Sequence, residues 1–309
     1  MVVTGGAGFV CSHLVELLVA GGARVTVIDD LRNGDEGNLA TVRGDIELKV
    51  MSLDGSNWAD AARGADLIFH GAANAYVPPS VEDPVGDFQQ NLYLALSLLE
   101  WCRTTSPGTE VVLFSTAAVY GDIKQSPADE SCPLEPISPY GVSKLAADRY
   151  AAVYAQLYGM RVASLRCFSV YGPRQHKQVV YDLIDRMNQG SGKLTVLGDG
   201  TQVRDLSYVE DVARGALRVA LEAPLQGEPY NIGTGVATSI SQLVASIGRA
   251  LGVDPEASYT GSIRSGDPEV LLSDSGRLRS LGWSPEVNLD DGVRRTADWV
   301  RAQTGQPGR

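Results

Sequence analysis

Basic charge is scarce in this 309-residue chain: 26 Lys and Arg face 37 Asp and Glu, for a formal net charge of −11 at pH 7. A surface of that sign repels a phosphate backbone, so nucleic acid is not an expected partner, although a local basic pocket for a small phosphate ligand stays open. Long apolar runs are missing too. No stretch of about 18 apolar residues occurs, which argues against a membrane span. Met1 leads through Val2 and Val3 straight to Thr4 and a glycine turn, with no signal-peptide pattern. Cysteine is sparse: Cys11, Cys102, Cys132 and Cys167 show no paired spacing and read as free thiols of a reducing cytoplasm. His13, His70 and His176 are equally dispersed, and without a His/Cys cluster no metal site is expected.

What is present is alternation. Short apolar runs at Val2–Thr4, Arg24–Ile28, Glu47–Met51, Asp66–His70, Glu110–Ser115 and Arg161–Cys167 read as strands. Helical stretches at Val10–Ala20, Pro84–Arg103 and Pro139–Tyr158 separate them. Such alternation predicts an α/β fold, a doubly wound parallel sheet with helices on both faces. The second half is more mixed, with helices expected at Val179–Gln189, Ser239–Leu251 and Asp290–Gln303 and a strand at Leu194–Leu197. The expected organisation is a dinucleotide-binding domain over 1–168, to which 206–234 returns, and a smaller α/β lobe over 169–309 for the substrate.

The turn Thr4-Gly5-Gly6-Ala7-Gly8-Phe9-Val10-Cys11 joins the first strand to the first helix. Gly5 permits the tight turn, and Gly8 lets the backbone approach a pyrophosphate, whose charge the helix N-terminus stabilises. A third glycine is expected where the chain has Cys11. About 20 residues on, the second strand ends in Asp29-Asp30, where a carboxylate accepts hydrogen bonds from ribose hydroxyls and repels a 2′-phosphate. That favours NAD over NADP. The bland reading of both features is a glycine turn and a solvated acidic turn.

Tyr140-Gly-Val-Ser-Lys144 opens a helix, and its i, i+4 spacing places Tyr140 and Lys144 on one face. A phenol is a poor base near neutrality, but a neighbouring ammonium and an oxidised nicotinamide both favour the phenolate. Tyr140 is then a general base for a hydroxyl proton. Thr116, with Ser115 beside it, stands at the end of an apolar strand, where ligands of parallel sheets bind.

With these residues in view, the chain resembles the extended short-chain dehydrogenase/reductases, in their NAD-dependent epimerase/dehydratase branch. The likeness runs through TGGAGFVC at 4–11, HGAA at 70–73, STAAVYG at 115–121, YGVSK at 140–144, RCFSVYGPRQ at 166–175, GDGTQVRDLSYVEDVA at 198–213, YNIGTG at 230–235 and RSGD at 264–267. It implies a Rossmann lobe holding NAD, a C-terminal lobe holding a nucleotide-diphosphate sugar, and Thr116, Tyr140 and Lys144 as the catalytic trio. Cofactor contacts implied early in the chain are Gly5, Gly8, Phe9, Val10, Asp29, Asp30, Asn33, Ser52 and Leu53. Those implied later are Ala72, Ala73, Asn91, Ser115, Tyr140, Lys144, Phe168 and Val170. For the substrate the resemblance implies Thr116 and Tyr140 at the reacting sugar hydroxyl, Ser169, Arg204 and Arg264 at the diphosphate, and Asp267 near the nucleotide ribose. Ser169 stands where the family usually has asparagine, and Ser52 where an aspartate usually meets adenine.

Ala117 and Ala118 occupy the positions at which sugar 4,6-dehydratases of this family carry an Asp-Glu pair. The expected activity is therefore NAD-dependent 4-epimerisation through a transient 4-keto sugar. A 4-keto-sugar reductase and a dehydratase with other acid and base groups remain as alternatives, and a non-catalytic dinucleotide-binding protein ranks lower. The resemblance also implies a homodimer packed through Leu92–Leu99 and Lys144–Leu157.

Overall fold

The computed structural model describes residues 1–55, 57–190, 193–262 and 268–304. Its main sheet has seven parallel strands: β1 (Val2–Thr4), β2 (Val25–Asp29), β3 (Ile46–Val50), β4 (Leu67–His70), β5 (Glu110–Thr116), β6 (Val162–Cys167) and β10 (Gln226–Ile232). They lie in the order β3-β2-β1-β4-β5-β6-β10. The order reverses between β1 and β4, and such a switch point opens a crevice beyond the carboxyl ends of the strands.

The strands are apolar without alternation because both faces are covered. Val3, Val27, Phe69 and Val112 pack on one side with Leu14 and Leu18 of α1 (Phe9–Ala20) and Val212 and Ala216 of α8 (Val209–Glu222). Their chain neighbours Val2, Ile28, Ile68 and Val111 pack on the other side. There they meet α2 (Trp58–Ala62), α5 (Leu94–Thr105) and α6 (Pro139–Tyr158) through Trp58, Leu98 and Ala151. Adjacent residues facing opposite helical layers is the two-residue pleat at work.

The second lobe has its own core, formed by Leu183 and Ile184 of α7 (Gln178–Asn188), Leu243 and Ile247 of α9 (Ile240–Leu251), and Val293 of α11 (Leu289–Thr304). It packs with a small sheet in which β9 (Val203–Tyr208) pairs with β7 (Ser169–Tyr171), β11 (Ala237–Ser239) and β13 (Val270–Leu271). A separate pair joins β8 (Lys193–Val196) to β12 (Glu256–Tyr259). The short α10 (Gly276–Ser280) leads into the last helix.

The expected boundaries agree to within a residue except in one region. The single helix predicted over Pro84–Arg103 is three pieces: α4 (Pro84–Phe88), a π-helical turn over Gln89–Tyr93, and α5. The preceding α3 (Val77–Glu82), started by Pro78 and Pro79, was not anticipated. Asp83 ends α3 and caps α4 by accepting the Gly86 N–H at 2.9 Å. The π turn inserts extra backbone where Asn91 must point inward, and such bulges concentrate at functional sites.

Candidate active site

A cavity of about 940 Å³ runs along the crevice and is lined by both lobes. Its floor on the dinucleotide side is backbone. Gly5 sits at φ +67°, and a Cβ there would come 2.7 Å from the Ala72 nitrogen. Gly8 begins α1 without a side-chain cap, and no acidic residue occupies the first turn. The first-turn N–H groups of a helix lack intrahelical partners and carry partial positive charge. Gly8, Phe9, Val10 and Cys11 all line the cavity. The Ser115 hydroxyl at its wall is buried without a hydrogen-bond partner. A glycine cradle, an uncapped helix end and an orphaned hydroxyl fit a dinucleotide.

Cys11 is accommodated by a second glycine. A Cβ on Gly71 would lie 2.2 Å from the Cys11 sulfur, so Gly71 supplies the space that the missing third glycine would have left. The thiol is buried, and burial pushes its pKa up to about 12.

At the carboxyl end of β5 the three expected catalytic side chains come together. Thr116, Tyr140 and Lys144 all line the cavity, yet Tyr140 and Lys144 are almost fully buried. The Lys144 ammonium donates to the Phe114 carbonyl at 2.5 Å. The Thr116 hydroxyl lies against the Tyr140 phenol and favours its ionised form, while burial pushes that phenol well above its usual range. Burial lowers the Lys144 ammonium, opposed by the Asp148 and Asp87 carboxylates. Helix α6 is fixed at this end by Ser138, whose hydroxyl accepts the Gly141 N–H, and by Pro139 at its first position. Residues that draw binding energy from such a pre-set geometry need no rearrangement at the moment of reaction.

Gly5, Gly8, Phe9, Val10, Asn33, Ala73, Ser115, Phe168 and Val170 also line the cavity, as do Ser169 and Arg204. Arg204 donates to the backbone carbonyls of Val203 (2.9 Å) and Glu269 (3.4 Å). Six expected cofactor contacts stand back from it. Asp29 is buried, and its two carboxylate oxygens accept the N–H groups of Ala7 (2.9 Å) and Leu31 (2.8 Å), so it shapes the turn around the glycines. Asp30 is exposed and pairs with Arg32. Leu53 is core, Ser52 flanks it, and the Ala72 N–H meets the Thr4 hydroxyl at 3.4 Å. Asn91 is buried, accepting the Asn74 N–H at 2.9 Å. Arg264 and Asp267 lie outside the described residues.

The sequence reading passed over Ser80 and Asp148 beside the trio. Ser80 accepts the Tyr140 N–H at 3.2 Å. Asp148, one turn beyond Lys144, forms a buried ion pair with Arg166 at 2.8 Å. On the substrate side, Arg174 donates to Ser12 (3.1 Å) and Glu16 (2.6 Å) of α1. His176 packs against Tyr181 and Trp299, and the Lys177 ammonium lies 5.5 Å from the Tyr76 ring centre. Arg174 and Gln178, which bracket this loop, both adopt left-handed backbone at φ 73° and 74°. Among the described residues no group of three His, Cys, Asp or Glu is placed to hold a metal, and no helix is long and apolar enough to cross a membrane.

The chain is 33% identical to the UDP-glucose 4-epimerase of Mycolicibacterium smegmatis, over 97% of each protein. Its structure is similar to the UDP-glucose 4-epimerase of Thermus thermophilus solved with NAD, with a TM-score of 0.88 and 36% identity over 97% of this chain and 98% of that one. It is equally similar to the dTDP-glucose 4,6-dehydratase DesIV of Streptomyces venezuelae, solved with NAD bound, with a TM-score of 0.91 and 33% identity over 98% and 97% of the two chains. The sequence profile of one family covers residues 1–233, and with it the glycine turn, the Thr116 strand end and the Tyr140–Lys144 helix: the chain belongs to the NAD dependent epimerase/dehydratase family.

Proposed function

We propose that the protein is an NAD-dependent nucleotide-diphosphate-sugar 4-epimerase, with Thr116, Tyr140 and Lys144 carrying the proton chemistry. One observation carries this reading over dehydration. The cavity wall just after Thr116 is Ala117 and Ala118, which have no proton to give or take. Loss of water needs an acid and a base at the sugar ring, whereas epimerisation needs only one group that removes a hydroxyl proton and returns it. NAD, when bound, supplies reversible hydride transfer at the sugar carbon. Tyr140 takes up the hydroxyl proton, Thr116 orients the sugar oxygen, and the Lys144 charge favours the phenolate. Arg204 stands on the substrate wall, where a guanidinium suits a diphosphate.

The test is mass spectrometry of the ligand released from denatured protein, followed by incubation with a panel of nucleotide sugars. Tightly held NAD and a product of unchanged mass at a new retention time are expected. A product lighter by one water, or net consumption of NADH, overturns epimerisation in favour of a dehydratase or a reductase.

The partner proposed for the outer helices is a second copy. Val142, Tyr150, Val153 and Leu157 form an exposed apolar stripe along α6, continued by Tyr93 on the preceding turn. Exposed apolar side chains of this kind favour association with a like surface. Light scattering is expected to give twice the chain mass, and Val153→Glu with Leu157→Glu to give the single mass.

A further inference from the structure

Behind the trio lies a buried polar chain that the proposed mechanism does not use. Asp87 of α4 is 2% exposed and does not line the cavity. One of its oxygens accepts the Ser143 hydroxyl at 2.7 Å, and the other accepts the Asn91 amide at 2.7 Å. Ser143 is the residue before Lys144 on α6. Asn91, held inward by the π turn, accepts the Asn74 N–H at 2.9 Å, and Asn74 lines the cavity. A second strap runs parallel: Ser80 donates to the Val77 carbonyl at 2.7 Å and accepts the Tyr140 N–H. The chain therefore joins the catalytic turn to the cavity wall through a single carboxylate.

A buried carboxylate is costly unless its lone pairs are satisfied. Asp87 has a donor on each oxygen, and Lys144 gives it a cation nearby. We propose that Asp87 is a positioning residue: its carboxylate anchors the Tyr140–Lys144 turn to the cavity wall and sets the electrostatic balance between the phenol and the ammonium. The proposal rests on Tyr140 being the proton carrier. The titratable groups facing the pair come from every packed element: the carboxylates Asp87 from α4 and Asp148 from α6, the neutral thiols Cys167 from β6 and Cys11 from α1, and the neutral His70 from β4. Of these, Asp87 is the carboxylate that opposes ionisation of Tyr140 while favouring the charged Lys144.

Substitution separates the two roles. In Asp87→Asn the new oxygen can accept from Asn91 and the new amide can donate to Ser143, whose hydroxyl reverses its role. The geometry stays and the charge goes. In Ser143→Ala the charge stays and the anchor goes.

The experiment is an ultraviolet difference titration of tyrosinate in the NAD-loaded protein, which needs no sugar substrate, with hydrogen exchange over 138–144 measured alongside. In the loaded protein the oxidised nicotinamide adds its positive charge to the Thr116 contact and offsets the burial that raises the free phenol, so Tyr140→Phe is expected to remove the lowest tyrosine step. If it removes none, the proton-carrier reading falls and takes this proposal with it. Asp87→Asn is expected to move that step down by about half a pH unit, because a nearby negative charge no longer opposes the phenolate. Ser143→Ala is expected to leave the step in place but to speed exchange over 138–144 by about tenfold, as a local anchor is lost. A step unmoved or raised in Asp87→Asn, with Tyr140→Phe behaving as expected, overturns the proposal alone. So does unchanged exchange in Ser143→Ala.

Discussion

The two ends of the cavity are built on different principles. The dinucleotide end is made of backbone: a glycine at φ +67° pressed against Ala72, an uncapped helix N-terminus, and a buried Asp29 spent on tying the turn together. The end proposed for the substrate is made of side chains on loops: Arg174 reaching back to α1, the exposed His176 against Trp299, and the exposed Lys177 over Tyr76. Backbone sites tolerate almost no substitution because a Cβ has nowhere to go, whereas loop side chains exchange one contact for another. The difference teaches why one fold holds NAD in both an epimerase and a dehydratase among its solved neighbours while the chemistry at the sugar diverges.

Four measurements break or sharpen this contrast. The largest effect belongs to the junction of the two ends. Tyr140→Phe is expected to lower kcat by about a thousandfold, within the range of general acid–base contributions, while bound NAD is retained. Loss of NAD in that variant would move Tyr140 from the chemistry to the cofactor site.

Next comes the backbone end. Gly5→Ala forces a side chain into left-handed backbone and onto the Ala72 nitrogen, and the purified protein is expected to carry no dinucleotide. Gly22→Ala is the control, because Gly22 has φ +78° with open space around it. It is expected to lose about 1 kcal/mol of stability in urea melts and no cofactor. Equal cofactor loss in both would refute the cradle.

The rigid end also carries an acid liability. His70 is buried at the end of β4 beside β1, with Nδ1 2.9 Å from the Thr4 hydroxyl, and burial lowers its pKa to about 3 from 6.5. Between those values the unfolded chain holds a proton that the folded chain does not. Stability therefore falls as pH drops from 6.5 toward 3, by up to about 1.4 kcal/mol per pH unit from this group. His70→Asn is expected to flatten that slope in denaturant melts collected across the window. A slope identical to that of the parent protein would show that His70 gains its proton in the fold.

The smallest effect is at the loop end. Tyr76→Ala and Lys177→Ala each remove one cation–π contact of about 0.5–1 kcal/mol. A change in KM of a few fold is expected, with cofactor content and melting temperature unchanged. A loss of bound NAD in either variant would mean that the two ends are not separable.

Much of the cofactor end was legible in the sequence because its signals are local. A glycine turn between a strand and a helix and a Tyr/Lys pair one helical turn apart each occupy a few consecutive residues. What escaped was long-range. Ser143 sits in plain view inside the YGVSK segment, but its partner Asp87 is 56 residues away. The spacing of Asp87 and Asn91 on one helical face was visible, yet nothing local marks the π turn that drives Asn91 inward. Cys11 read as a departure from the glycine pattern, and only Gly71 across the sheet shows why it fits.

By itself the sequence determined the doubly wound sheet and, for the elements it marked except the helix over 84–103, their boundaries to within a residue. Hydrophobic periodicity, glycine and capping residues act over a few neighbours, and they are written in order along the chain. Only the tertiary structure decided that Asp29 spends its oxygens on backbone, that Asp30, Ser52 and Leu53 face away from the cavity, and that Asp87 stands behind the Tyr140–Lys144 turn. Those outcomes depend on which segments meet across the sheet, and the hydrogen-bond partners of a buried carboxylate are set by packing, which no local pattern encodes.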